Sequence, residues 1–150
     1  MAKSVASFRR GSVTYIQTGD HNDMASQRPM NVRYENTYRV EPTTNFPYLA
    51  SRDIIRDVLQ TTFGDTTKYD PLTVSQLAAD AANELKARVR ALQCPRYKLV
   101  TFLTVGEESA TSLSMTSRCV WNDKSDTYAE SSFRNGTIYA VGIVFGVYTE

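Results

Sequence analysis

The chain is poor in the residues on which metal centres and many active sites depend. Its 150 residues include one histidine, His21, and two cysteines, Cys94 and Cys119. A single histidine excludes a multi-histidine metal site, and two cysteines do not make a disulfide framework. That usage fits a reducing, cytoplasmic compartment. No apolar run approaches the roughly 20 residues that span a bilayer. The N-terminal "MAKSVASFRRGS" has positive charge but no apolar stretch after it, so it does not read as a secretory signal. Neither sign of charge dominates: 17 Lys and Arg stand against 16 Asp and Glu, a net +1. Nothing therefore drives the chain toward nucleic acid or an anionic membrane. A glycine-rich phosphate loop is missing too, since Gly106 is isolated and "GIVFG" sits inside an apolar run. No metal or cofactor is expected.

What is present is an ordinary globular composition, 41% hydrophobic, in a chain long enough for one domain with a real core. The organisation is uneven. Residues 1–45 are rich in Ser, Thr, Asn, Arg and Gln, with only isolated apolar residues such as Val13, Tyr15 and Ile16. They read as a tail, disordered when free, and the folded domain is expected over 46–150. In "RDIIRDVLQTTF", Ile54, Ile55, Val58, Leu59 and Phe63 fall at helical spacing. Ser51 is placed to cap that helix, and Gly64 to end it in a left-handed conformation. A second helix follows Pro71, with Thr73 and Gln76 at capping-box spacing. Its apolar stripe runs through Val74, Leu77, Ala78, Ala81, Leu85, Val89 and Leu92, with Lys86, Arg88 and Arg90 late, where cations suit the helix dipole. Pro95 is expected to stop it.

Beyond Pro95 the period changes from helical to alternating. "RYKLVTFLTVG" is apolar on both faces, the mark of an interior strand. In "SLSMTSRCVW", Leu113, Met115, Cys119 and Trp121 alternate with Ser112, Ser114, Thr116 and Arg118, the period of a half-buried strand. "TYAESSF" is a shorter strand, and Asn135-Gly136 is a strong hairpin signal into "IYAVGIVFGVYTE". Along that last strand Ala140, Gly142, Val144 and Gly146 share a face on which a helix or a second chain can approach closely. Two helices followed by four strands make an α+β fold, with the helices packed on a four-stranded antiparallel sheet.

"SRCVWNDKSDTYAESSFRN" is the stretch with the most chemistry. A reactive Cys119 needs a base or a cation beside it. Arg118, next in sequence, alternates to the other face, and His21 lies in the tail, so Cys119 reads as a packed core residue. Asp123 and Asp126 match no calcium-loop spacing and read as turn residues bonding their own backbone. No enzyme is expected.

The set Arg96-Tyr97-Lys98, Ser117-Arg118-Cys119, Trp121, Asp126, Asn135, Phe145-Gly146 and Tyr148, in that order, resembles the Tctex-type dynein light chains. "ENTYRVEP" at 35–42 looks like the branch with N-terminal extensions, the Tctex-2-like light chains. The likeness covers roughly 36–150. It implies a strand-exchanged dimer of the fold already read, and a non-catalytic subunit of an axonemal dynein in cilia or flagella. Its partners would be another Tctex-type light chain, in a heterodimer ahead of a homodimer, an extended segment of the dynein intermediate chain, and other axonemal dynein subunits. No nucleic acid or membrane is among them. The role would be to support motor assembly and ciliary motility. A cargo or adaptor module on cytoplasmic dynein, or outside dynein, is the alternative. The implied surface for the intermediate chain or a partner strand is Ser112, Leu113, Ser114, Met115, Thr116, Ser117, Arg118 and Val120. That for the dimer is Trp121, Tyr139, Val141, Ile143 and Phe145. Backbone pairing would give affinity and side-chain pockets specificity. In the tail, Ser12 follows Arg9-Arg10-Gly11, a pattern that basic-directed kinases favour, and is a candidate for phosphorylation.

Overall fold

A computed structural model describes residues 5–9, 12–17, 41–108, 122 and 125–149. Two helices, α1 (Tyr48–Phe63) and α2 (Pro71–Arg90), lie on one face of an antiparallel sheet. The sheet comprises β1 (Val5–Arg9), β2 (Ser12–Gln17), β3 (Tyr97–Glu107), β4 (Thr127–Arg134) and β5 (Ile138–Tyr148), in the order β1-β2-β3-β5-β4. The α+β reading holds, and three of the four expected strands stand where the alternation put them. The expected strand at 112–121 lies outside the described residues. Two strands were not expected at all: β1 and β2 form a hairpin within the segment read as tail, and β2 pairs with β3 from Ser12↔Gly106 to Gln17↔Thr101.

The helix starts differ from expectation for a definite reason. Asp70, not Thr73, caps α2: its carboxylate accepts from the Thr73 amide at 3.1 Å and the Thr73 hydroxyl at 2.5 Å, with Pro71 in the first turn. Proline is tolerated there because that amide needs no helical partner. Ser51 is not a cap; α1 begins at Tyr48, and Ser51 is fully buried inside it. Gly64 is helical (φ −57°), not left-handed. The left-handed residues are Gln93 (φ 53°) and Arg96 (φ 63°), which turn the chain from α2 into β3 on either side of Pro95.

The core lies between helices and sheet. Ile55, Val58, Leu59 and Phe63 of α1 meet Val74, Ala78, Ala81, Ala82, Leu85 and Val89 of α2, all essentially without solvent exposure. Leu103, Val105, Ala129, Ile138, Ala140 and Val144 close it from the sheet. The small-residue face of β5 is what lets α1 come close. A Cβ at Gly142 would stand 2.7 Å from Ile55 Cγ2, and one at Gly146 would stand 2.5 Å from Phe46 Cδ2. That face belongs to the intrachain core. α1 rests over β4 and β5, while α2 rests over β3 and β2. Arg88 ties the helices by reaching Asp57 of α1 and also pairs with Glu84 of its own helix, at 2.5 Å each, but these groups are exposed and contribute little.

Candidate functional site

Among the described residues, both helices lie on one face of the sheet and none on the other. Register partners in an antiparallel sheet share a face, so the second face can be read row by row. Val100, Phe145 and Tyr128 form one row, Phe102, Ile143 and Glu130 the next, then Thr104, Val141 and Ser132, and last Gly106, Tyr139 and Arg134. The face grades from apolar at the Tyr148 end of β5 to polar at the hairpin end. The rings of Tyr128 and Phe145 lie 6.0 Å apart. Tyr139 is folded down over the Cα of Gly106; a Cβ there would stand 2.3 Å from the Tyr139 oxygen.

Four residues expected at a dimer contact, Tyr139, Val141, Ile143 and Phe145, therefore do fall on one face of β5. They are not equally available. Ile143 is 2% exposed and Tyr139 7%, whereas Val141 and Phe145 are half-buried, as are Val100, Phe102 and Tyr128. The fifth, Trp121, lies outside the described residues. So do Ser112, Leu113, Ser114, Met115, Thr116, Ser117, Arg118 and Val120, the residues expected to take an extended partner segment. Ser12 is the first residue of β2, in register with Arg9 of β1 and Gly106 of β3.

Two polar latches hold the two ends of β5, and sequence reasoning found only half of each. Asp126, 8% exposed, accepts from the Asn122 amide at 3.0 Å, which is the local turn role, and from the Tyr148 amide at 2.9 Å, which fastens the end of β5. Asp123 lies outside the described residues. Beside this latch Tyr97 stacks between Phe46 (5.9 Å) and Tyr148 (5.6 Å), and its hydroxyl donates to the Ser125 carbonyl. Burial pushes the Tyr97 hydroxyl pKa up. At the opposite end Asn135 is more than a turn residue. Its oxygen accepts from the Thr137 and Ile138 amides, while its amide nitrogen donates to the Phe63 and Thr66 carbonyls. Gly136 beside it takes positive φ, +84°.

The chemistry available is that of binding. Cys94 is a half-buried free thiol whose pKa is raised by burial, the opposite of what a nucleophile needs. Cys119 lies outside the described residues. Among the described residues no group of three His, Cys, Asp or Glu side chains is placed to hold a metal ion. No helix there is long and apolar enough to cross a membrane.

Comparison with known proteins gives a consistent result. The Tctex-1 family model matches residues 45–147. The chain is 36% identical over 140 residues to the dynein light chain Tctex-type 5-B of Xenopus laevis, covering 93% of this chain and 77% of that protein. Against the human dynein light chain Tctex-type 5 the identity is 33% over 139 residues, 93% of this chain and 76% of that one. The dynein light chain Tctex-type protein 2B of Danio rerio is 28% identical over 116 residues, 75% of this chain and 76% of its own. A match over 93% of the chain reaches into the first 35 residues, beyond the limit at 36 read from motifs alone.

Proposed function

The chain belongs to the Tctex-1 family, and from that premise we propose that it works as a light chain of an axonemal dynein. Members of this type are non-enzymatic subunits, and this chain is not an enzyme. In the proposal it pairs with a second Tctex-type light chain, a heterodimer ahead of a homodimer, and holds an extended segment of the dynein intermediate chain against its sheet. Ser112, Ser114, Thr116 and Arg118 take that segment, and Trp121, Val141 and Phe145 take the dimer partner. Ser12 is the proposed target of a basic-directed kinase, which phosphopeptide mapping of the assembled complex tests.

One observation carries the reading: among the described residues the helices cover a single face of the sheet, and the other presents Val100, Phe102, Val141, Phe145 and Tyr128 only half-buried. Such a face, flanked by strands able to accept backbone hydrogen bonds, suits strand addition and side-chain docking more than any reaction. The test is capture from ciliary extract with the tagged chain, followed by identification of the co-purifying chains. Recovery of an intermediate chain together with a second Tctex-type light chain is expected. A soluble monomer that retains neither would sink the proposal. Recovery of cytoplasmic dynein or non-dynein chains alone would move it to an adaptor of the same fold.

A further inference from the structure

The sequence contains one Asn-Gly pair, Asn135-Gly136. Asparagine is thermolabile, and most so before glycine, which has no Cβ to keep its nitrogen away from the preceding side-chain carbonyl. In this fold the pair forms the turn between β4 and β5, and the turn is held from several directions. The Asn135 side-chain oxygen accepts from the Thr137 and Ile138 amides, both at 3.0 Å. Its side-chain nitrogen donates to the Phe63 carbonyl at 3.1 Å and the Thr66 carbonyl at 2.9 Å. The Gly136 amide, the group that would attack, donates to the Glu108 carboxylate at 2.8 Å. The amide of Glu108 itself donates to the Thr137 carbonyl at 2.9 Å, which keeps that carboxylate beside the turn. Crowding plays no part. A Cβ on Gly136 would meet nothing within 4 Å, and Gly136 is exposed. Hydrogen bonds therefore restrain a peptide group that water can reach.

We propose that Asn135 is a modification site, at which spontaneous deamidation turns an opening of the β4–β5 turn into a permanent break between that turn and α1. In the closed turn the Asn135 amide carbon is held in place and the Gly136 N–H is occupied. Opening releases both together. The Gly136 nitrogen then loses its proton to water and bonds to Asn135 Cγ. The Cγ–Nδ2 bond breaks, and ammonia leaves with a proton taken from water. A second water opens the resulting succinimide at either carbonyl. One product is an aspartate at position 135; the other is an isoaspartate, whose backbone runs through the former side chain. Both products lose the contact to α1. Aspartate has no N–H to offer the Phe63 and Thr66 carbonyls. Phe63 is the last residue of α1, so the new charge lies at the negative end of the helix dipole, and no basic residue in the last turn offsets it. Isoaspartate in addition lengthens the turn backbone by a methylene. Reclosing is disfavoured in either case, and the modified fraction records the time that copies have spent open. None of this depends on which protein the chain binds.

The test ages the full-length chain at physiological temperature and mildly alkaline pH, beside a synthetic peptide of residues 132–139 as the unconstrained reference. Peptide mapping by mass spectrometry, with fragmentation that separates aspartate from isoaspartate, gives the rate at Asn135. Opening breaks the side-chain and Glu108 bonds together, so the folded chain should react more slowly than the peptide by about thirtyfold or more. Glu108→Ala frees the Gly136 amide and leaves the Asn135 side chain as it is. It should speed both deamidation at Asn135 and hydrogen exchange at Gly136 by about threefold or more. Chain deamidated at Asn135, separated by ion exchange, should unfold at a lower urea concentration than the unmodified chain. Deamidation of the folded chain at the rate of the peptide, a folded Glu108→Ala chain that deamidates no faster, or a deamidated chain as stable as the unmodified one would each overturn the proposal. If Glu108→Ala fails to fold, the comparison of chain with peptide still decides.

Discussion

The ring of Phe46 occupies the space where a side chain on Gly146 would begin, with Phe46 Cδ2 2.5 Å from the position of a Cβ there. Phe46 is 5% exposed and lies just before α1, while Gly146 is near the end of β5. The pair fixes how the chain enters the helix layer. Gly146→Ala should force Phe46 out of its seat and destabilise the fold by about 1–3 kcal/mol, read from the urea midpoint. Gly136→Ala is the contrasting case. Its Cβ meets open space, but φ is +84°, so about 1 kcal/mol of backbone strain is expected.

Asn135→Ala should cost about 2–3 kcal/mol, because Thr137 and Ile138 lose an acceptor while the Phe63 and Thr66 carbonyls lose a donor. Asn135→Asp keeps the acceptor and cannot donate. It should fall below the wild-type chain in thermal stability, and recovery to the wild-type value would show that the contacts to α1 carry nothing.

The Asp70 cap should be visible in acid. The Thr73 hydroxyl, and then the Thr73 amide, lower the Asp70 pKa. A carboxyl whose pKa is depressed by folding adds stability that is fully present above its ordinary pKa and is lost as pH falls through the lowered one. Asp70→Asn, which retains an acceptor oxygen, should flatten that part of the acid unfolding curve. An unchanged curve would remove Asp70 from the account.

Cys94 should behave as a reluctant thiol. Burial raises its pKa, so folding favours the protonated form; that contribution is intact below the ordinary thiol pKa and fades as pH rises through the raised one. Peptide-resolved iodoacetamide labelling should be slower at Cys94 than at free cysteine near neutrality, climbing only at more alkaline pH. Cys94→Ser should leave partner capture unchanged.

Val141→Glu tests the face without helices. Val141 is half-buried between Thr104 and Ser132 in register, so the substitution should cost the isolated fold no more than about 1 kcal/mol. If the face is a contact, capture of the partner light chain should fall by about tenfold or more. Undiminished capture would place the dimer contact elsewhere.

Much of the domain was legible because its signals are local. The 3.6-residue stripe of α1 and α2, the two-faced β3 and the small residues of β5 each state their own environment. What escaped depended on distant partners. Ser51 looks like a cap until Pro47, after Phe46, is seen to start the helix four residues earlier. Asn135 reads as a turn residue because its bonds to Phe63 and Thr66 span some 70 positions. The β1–β2 hairpin was missed because "VASFR" and "SVTYIQ" are short and sit in polar sequence. Gly11 between two β-rich runs was the available signal. Of the candidate site, the β5 face was readable from alternation, whereas the 112–121 strand stays a sequence expectation.

The pairing of Thr14 with Thr104 joins positions about 90 residues apart. At a synthesis rate of about 5–20 residues per second, the tail strand leaves the ribosome several seconds before the strand it will cover. The β4–β5 hairpin, by contrast, closes on neighbours made almost together. β3 thus emerges with a matching strand already waiting on the same nascent chain. On a polysome, where many unfinished copies crowd one message, that order of manufacture favours each chain capping its own sheet before it can meet its neighbour's.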